Sequence, residues 1–198
     1  MKADDKSKML PVLVYVHGGY LTEGTGPVDG LHETSRMVHL SIQEATPVIL
    51  VSIGYRLNWL GFMACQDLLD ESQASAKDPQ EGPFNLGFRD LQKAFLCVRN
   101  HIAGFRGDPN NITAFGESEG ALSLISQMAS SMPLFKRVIL QSAATLGTAI
   151  LKQKDAEYQR LLSAFNIHGE TAKGRFEALR QAPINDLVYF AQVLVGAQ

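Results

Sequence analysis

Gly116-Glu117-Ser118-Glu119-Gly120 matches the pattern G-x-S-x-G, and the chemistry it suggests is nucleophilic attack by a serine. A serine on a tight strand-to-helix turn is held in a strained conformation with its hydroxyl projecting above the sheet. The flanking glycines remove the Cβ atoms that would collide where strand and helix approach each other. The same turn puts the backbone N–H of Glu119 at a helix N-terminus, where partial positive charge can stabilise an oxyanion. By composition alone such a match recurs in roughly one chain in ten of this length. An ordinary strand-to-helix serine is therefore the alternative, and context must decide. A second segment, His17-Gly18-Gly19-Tyr20, closes an apolar run. Consecutive glycines let backbone N–H groups point into a cleft, and acyl transfer needs two or three such donors about 3 Å from the developing negative oxygen. Here a plain glycine-rich turn is the alternative. Together the two segments point to acyl transfer through Ser118, which requires no metal or organic cofactor.

The elements that must position these residues follow from the hydrophobic pattern. Residues 10–16 hold the β-branched run Val12, Val14 and Val16 and read as a central parallel strand buried on both faces. Residues 20–30, with three glycines and a proline, read as loop, 31–45 as a helix, and 48–53 as a second buried strand. Residues 67–83 are polar, lack a period, and carry the breakers Asp78-Pro79 and Gly82-Pro83, so they read as a surface excursion. Leu91, Ala94, Phe95 and Val98 show the i, i+3, i+4, i+7 spacing of an amphipathic helix over 86–103. A short strand follows at 112–115, a helix at 119–129 and a fourth strand at 137–140. From 151 onward the chain reads as helices broken near His168-Gly169 and at Pro183. Strands alternating with helices predict an α/β fold, a mostly parallel central sheet with helices on both faces.

Composition excludes several classes. Lys and Arg number 18 against 20 Asp and Glu, a net charge of -2 without a basic block, which argues against nucleic-acid binding. No apolar run reaches the roughly 18 residues of a membrane span. Cys65 and Cys97 are too few and too far apart for a disulfide scaffold or a zinc site. The charged start, residues 1–8, has no apolar stretch after it and does not read as a signal peptide. The expectation is an intracellular protein, with the cytoplasm favoured.

Five ordered segments carry a resemblance. Pro11-Val12-Leu13-Val14-Tyr15-Val16-His17-Gly18-Gly19, Tyr55-Arg56-Leu57-Asn58 with Gly61-Phe62, and Asn85-Leu86-Gly87-Phe88-Arg89-Asp90-Leu91-Gln92 are three of them. Gly107-Asp108-Pro109-Asn110-Asn111-Ile112-Thr113 and Phe115-Gly116-Glu117-Ser118 complete the series. In this order and at these spacings they resemble the type-B carboxylesterases, the family that includes the cholinesterases. The likeness runs from about Pro11 to Ala143 and weakens through the helical tail. It implies the α/β-hydrolase fold in incomplete form, with early and late strands missing. Residues 1–198 would be one partial domain, with a sheet core at 10–145 and a helical segment at 146–198. The resemblance implies Ser118 as nucleophile and Gly19, Tyr20 and Glu119 as backbone donors to the oxyanion. It makes Glu117 a carboxylate near the catalytic histidine, and Arg56 with Asp90 a buried structural ion pair. The substrate would be a small-molecule carboxylic ester, with no protein partner implied.

Two positions depart from the family pattern. A small residue usually follows the nucleophile, whereas this chain has Glu119, whose carboxylate would oppose a developing negative charge unless it points away or finds a cation. Tyr20 stands where many members have glycine or alanine, placing a ring where it would narrow the acyl or alcohol pocket. The resemblance also puts the acid well over a hundred residues past the serine, and the histidine later still. Only 80 residues follow Ser118. His168 is the one histidine among them and reads as part of a helix-ending loop, and His17, His32, His39 and His101 are not spaced as a base. The reading is therefore a serine ester hydrolase whose chain lacks its acid and histidine and has little activity alone. The edge strand 48–53 would be an aggregation hazard. Rivals are a non-catalytic interaction module and a serine acyltransferase. Asn111-Ile112-Thr113 fits a glycosylation acceptor, but its place at a strand start gives it a structural reading.

Overall fold

The computed structural model describes residues 9–26, 34–75, 82–130, 132–143, 149–169 and 171–196. They pack as two compact units, one of residues 1–55 and 88–146, the other of 56–87 and 147–198. The sheet core expected at 10–145 is thus interrupted, because 56–87 pack with the helical tail.

In the first unit the apolar run becomes β1, Leu10–Val16. It is followed by α1 (Ser35–Gln43), β2 (Ile49–Ile53) and, beyond the second unit's insertion, α4 (Leu86–His101). A short 3-10 helix at Ile102–Phe105 leads into β3 (Gly107–Glu117), α5 (Glu119–Met128) and β4 (Arg137–Gln141). The strand order is β2-β1-β3-β4 and every pairing is parallel. Val12 to Val16 pair in step with Ile49 to Ile53 on one side and with Ile112 to Gly116 on the other. Alternation then sends Val12, Val14 and Val16 to one face, where all three are fully buried against Leu91 and Phe95 of α4 and Leu124 of α5. Helices flank the sheet, as the alternation of elements predicts.

Three expectations change here. The third strand begins at Gly107, not at 112, since Leu10 donates its N–H to the Arg106 carbonyl (2.8 Å) and pairing starts before Pro109. The register shift between Leu10 and Val12 absorbs the prolines, Pro11 and Pro109, which have no N–H to donate. Strand β2 is half-buried rather than buried, with only Ile53 enclosed, because it lies at an edge of the described sheet. The helix expected over 31–45 is described as Ser35–Gln43, and 31–33, with His32, fall outside the described residues.

The second unit contains α2 (Asn58–Phe62), α3 (Gln66–Ser75), α6 (Leu151–Ala164), α7 (Ala172–Gln181) and α8 (Ile184–Gly196). Helix α3 corrects the reading of a surface excursion. Its apolar residues are too few to show a period, yet Leu68 packs with Cys65 against Tyr158, Leu161 and Phe176. Tertiary burial, not propensity, holds this helix. The tail breaks where expected, at Asn166–Gly169 and around Pro183. Thr171 caps α7 by accepting the Gly174 N–H at 3.1 Å. Thr171→Ala is expected to lower the unfolding free energy by about 1 kcal/mol, read from a denaturant midpoint.

Candidate active site

The site begins with the turn between β3 and α5. Ser118 takes φ 53° and ψ −124°, a region that side chains rarely occupy and that surrounding structure must enforce. Its N–H donates to the Gln141 carbonyl at the end of β4 (2.9 Å), while Gly116 and Gly120 lie against one another. A Cβ on Gly116 would stand 2.7 Å from the Gly120 carbonyl carbon, and one on Gly120 would run into the Val16 carbonyl oxygen. The two glycines of the motif are therefore what allows α5 to start directly over the end of β1.

The second segment arrives from the end of β1. His17 is buried, its Nδ1 2.8 Å from the Gly18 carbonyl and its ring stacked on Tyr55 at 4.6 Å. The Tyr55 hydroxyl donates to the His17 carbonyl at 2.9 Å. Burial pushes the Tyr55 phenol above its usual range, with the negative charge of Glu119 adding to the effect, so it stays a neutral donor. Gly18 follows, and a Cβ there would come within 2.7 Å of the Glu117 carbonyl oxygen and 3.2 Å of the Ser118 Cβ. The loop then turns through three residues in the left-handed region, Gly19 at φ 105°, Tyr20 at 55° and Leu21 at 57°. The two motifs, about a hundred residues apart in sequence, are thereby brought into contact.

Glu119 joins them. It is the first residue of α5, and its side chain is only 6% exposed. One carboxylate oxygen, Oε2, accepts the Ser118 hydroxyl at 2.6 Å and the Tyr20 N–H at 3.1 Å. The possibility that this carboxylate points away is therefore not what occurs. Helical side chains lean toward the helix N-terminus, which carries the Glu119 carboxylate back over the serine, and the N-terminal dipole favours a negative charge there. This second role of Glu119 was signalled in the sequence only by an acid where a small residue is usual.

The other expected residues fall as follows. Glu117 is exposed beside Gly18, and its side chain makes no hydrogen bond or ion pair among the described residues. Tyr20 is 65% exposed, so its ring meets solvent in this structure. Arg56 is exposed and Asp90 half-buried, so neither is buried as expected. Asn111 is half-buried in β3 and accepts from the Arg137 guanidinium at 2.8 Å, a structural role. His39 and His101 are exposed, and His168, in the second unit, places Nε2 2.7 Å from the Asn166 side-chain oxygen. The hydrogen bond of the Ser118 hydroxyl goes to a carboxylate and not to an imidazole. Among the described residues no three His, Cys, Asp or Glu gather as a metal site, and no helix is long and apolar enough to cross a membrane.

The family model described as the carboxylesterase family matches residues 1–197. Esterase B1 of Culex pipiens is 32% identical over 100% of this chain and 34% of its own length. An inactive carboxylesterase-like protein of Byssochlamys spectabilis is 36% identical over 69% of this chain and 22% of its own. Among solved structures, a carboxylesterase of Geobacillus stearothermophilus superposes with a TM-score of 0.74 at 33% identity, covering 94% of this chain and 37% of that one. The chain thus spans about a third of the length of such esterases, and its α/β-hydrolase fold is represented in part.

Proposed function

Because this chain belongs to the carboxylesterase family, we propose that it carries the acyl-accepting serine and oxyanion loop of a carboxylic-ester hydrolase. Ser118 Oγ attacks the ester carbonyl, the carbonyl oxygen becomes an oxyanion, and the alcohol leaves as the acyl-serine forms. Water then hydrolyses the acyl-serine. Gly19, Tyr20 and Glu119 offer the backbone N–H groups for the oxyanion. The observation that carries this reading is the strained Ser118 at the β3–α5 turn with the Gly18-Gly19-Tyr20 loop packed against it.

Full turnover needs a base that takes the hydroxyl proton and later protonates the leaving group. Among the described residues the Ser118 hydroxyl meets no imidazole, so the step to read is acylation by an activated ester, in which the hydroxyl proton passes to water and the nitrophenolate leaves without needing a proton. Exposure to p-nitrophenyl acetate, followed by mapping of acetylated residues by mass spectrometry, is expected to mark Ser118 faster than any other serine. Nitrophenolate release should fall in Ser118→Ala. A Ser118 that is acetylated no faster than exposed serines would defeat the proposal.

One observation favours a second reading, a non-catalytic interaction module: the Glu119 carboxylate already holds both the serine and an oxyanion donor. Lack of selective acetylation would move the assignment there. A serine acyltransferase would differ only in its acceptor, and added alcohol would then raise formation of the new ester.

A further inference from the structure

We infer that the Glu119 carboxylate is a built-in occupant of the oxyanion site, which must swing out before an ester carbonyl can be bound. The inference rests on the reading of Ser118 as nucleophile and of the Tyr20 N–H as an oxyanion donor.

The geometry is that of a mimic. An oxyanion-hole donor works when it stands 2.7–3.1 Å from the position the negative oxygen will take, and Oε2 of Glu119 stands 3.1 Å from the Tyr20 nitrogen. The same oxygen is 2.6 Å from Ser118 Oγ, within the range of a charge-assisted O–H···O⁻ bond. One oxygen therefore satisfies both groups that an incoming carbonyl would need. A carbonyl oxygen bound by Tyr20 cannot share that place. As it became an oxyanion beside the carboxylate, it would also be repelled in a site where burial weakens screening.

Three features keep the carboxylate there. It is the first residue after the serine, so the strained turn fixes its starting point. Its location in the first helical turn puts it in the positive end of the helix field. The positive φ angles of Gly19, Tyr20 and Leu21 shape the loop that presents the Tyr20 N–H to it. A proton acceptor for Ser118 is the obvious other use of a carboxylate at this distance. That use conflicts with the position of Oε2, because a base must leave the oxyanion donors free for the carbonyl oxygen, and this one takes the Tyr20 donor.

The test compares the chain with its Glu119→Ala and Glu119→Gln variants by two readouts. The first is hydrogen exchange of the Tyr20 amide, which requires no chemistry at Ser118. Exchange is expected to quicken in Glu119→Ala and to stay slow in Glu119→Gln, whose amide oxygen still accepts. The second is the rate of Ser118 acetylation by p-nitrophenyl acetate. Glu119→Ala is expected to raise it at least about tenfold, part of the roughly 10²–10³ that one oxyanion donor supplies. The gain should vanish in Ser118→Ala/Glu119→Ala. Unchanged Tyr20 exchange in Glu119→Ala overturns the inference, and so does slower acetylation in both Glu119 variants, which would make the carboxylate a base. Faster Tyr20 exchange with no acetylation of Ser118 in any variant would leave the occupancy standing and remove the nucleophile assignment.

Discussion

Replacing Gly120 by alanine is expected to destabilise the sheet unit by about 3 kcal/mol or more, at or beyond the upper end for an overpacked core position. The added methyl has nowhere to go. It would run into the Val16 carbonyl oxygen and lie 2.8 Å from the His17 carbonyl oxygen, both of them backbone atoms in the buried end of β1. Neither can rotate away as a side chain would, so α5 must lift off the strand. That motion would pull Ser118 out of its φ 53° conformation and part it from the Gly18 loop, so selective acetylation of Ser118 should be lost together with stability. Gly104→Ala is the control. Nothing lies within 4 Å of a Cβ built there, and its unfolding midpoint is expected to move little. Equal midpoints for the two variants in urea would show that the contact between α5 and β1 is not as close as described.

Arg175→Met is expected to cost the helical unit about 2–3 kcal/mol, below the range for a fully buried pair because water still reaches both partners. The guanidinium holds Asp67 by two bonds, Nε to one carboxylate oxygen at 2.7 Å and a terminal nitrogen to the other at 2.6 Å. It also donates to the Gly169 carbonyl at 2.7 Å, and the buried Tyr158 hydroxyl donates to Asp67 at 2.9 Å. Removing the arginine leaves a largely enclosed carboxylate with Tyr158 as its remaining hydrogen-bond partner from this network. The hydrogen bonds from Arg175, and with less weight that from Tyr158, hold the Asp67 carboxyl below its ordinary value of 3.8 against the opposing effect of burial. A depressed folded value means that the stabilisation is fully present above pH 3.8 and fades as the pH falls through the lower folded value. Acid unfolding followed by circular dichroism should therefore show that the stability difference between the parent and Arg175→Met narrows below that pH. A difference that stays constant into stronger acid would place the stabilisation elsewhere.

Much of the fold was legible because its signals are local. The run of Val12, Val14 and Val16 closed by Gly18-Gly19, and Pro183 between α7 and α8, act within a few residues of where they stand. Helix α3 was not legible, since Leu68 and Cys65 acquire their meaning only against Tyr158 and Phe176, over 80 residues later. Nor was the half-burial of β2, because Ile49 to Ile53 read the same whether a strand is central or at an edge. Arg56 and Asp90 illustrate a third limit: two charges beside apolar segments suggest burial, but exposure depends on which elements cover them.

The candidate site divides along the same line. Motif chemistry is carried by residue type and short spacing, so Ser118 between Gly116 and Gly120, and the loop at Gly18-Gly19, could be singled out as candidates from the chain of letters and from its family resemblance. Where a flexible carboxylate three bonds from the backbone comes to rest is a different kind of fact. It depends on the lean of the first turn of α5, on the left-handed loop at Tyr20, and on which donors those two place within reach. The sequence established that an acid follows the serine, and the packing of α5 over β1 put that acid on the serine and on the Tyr20 N–H, because long-range backbone placement determines which hydrogen bonds a side chain can make.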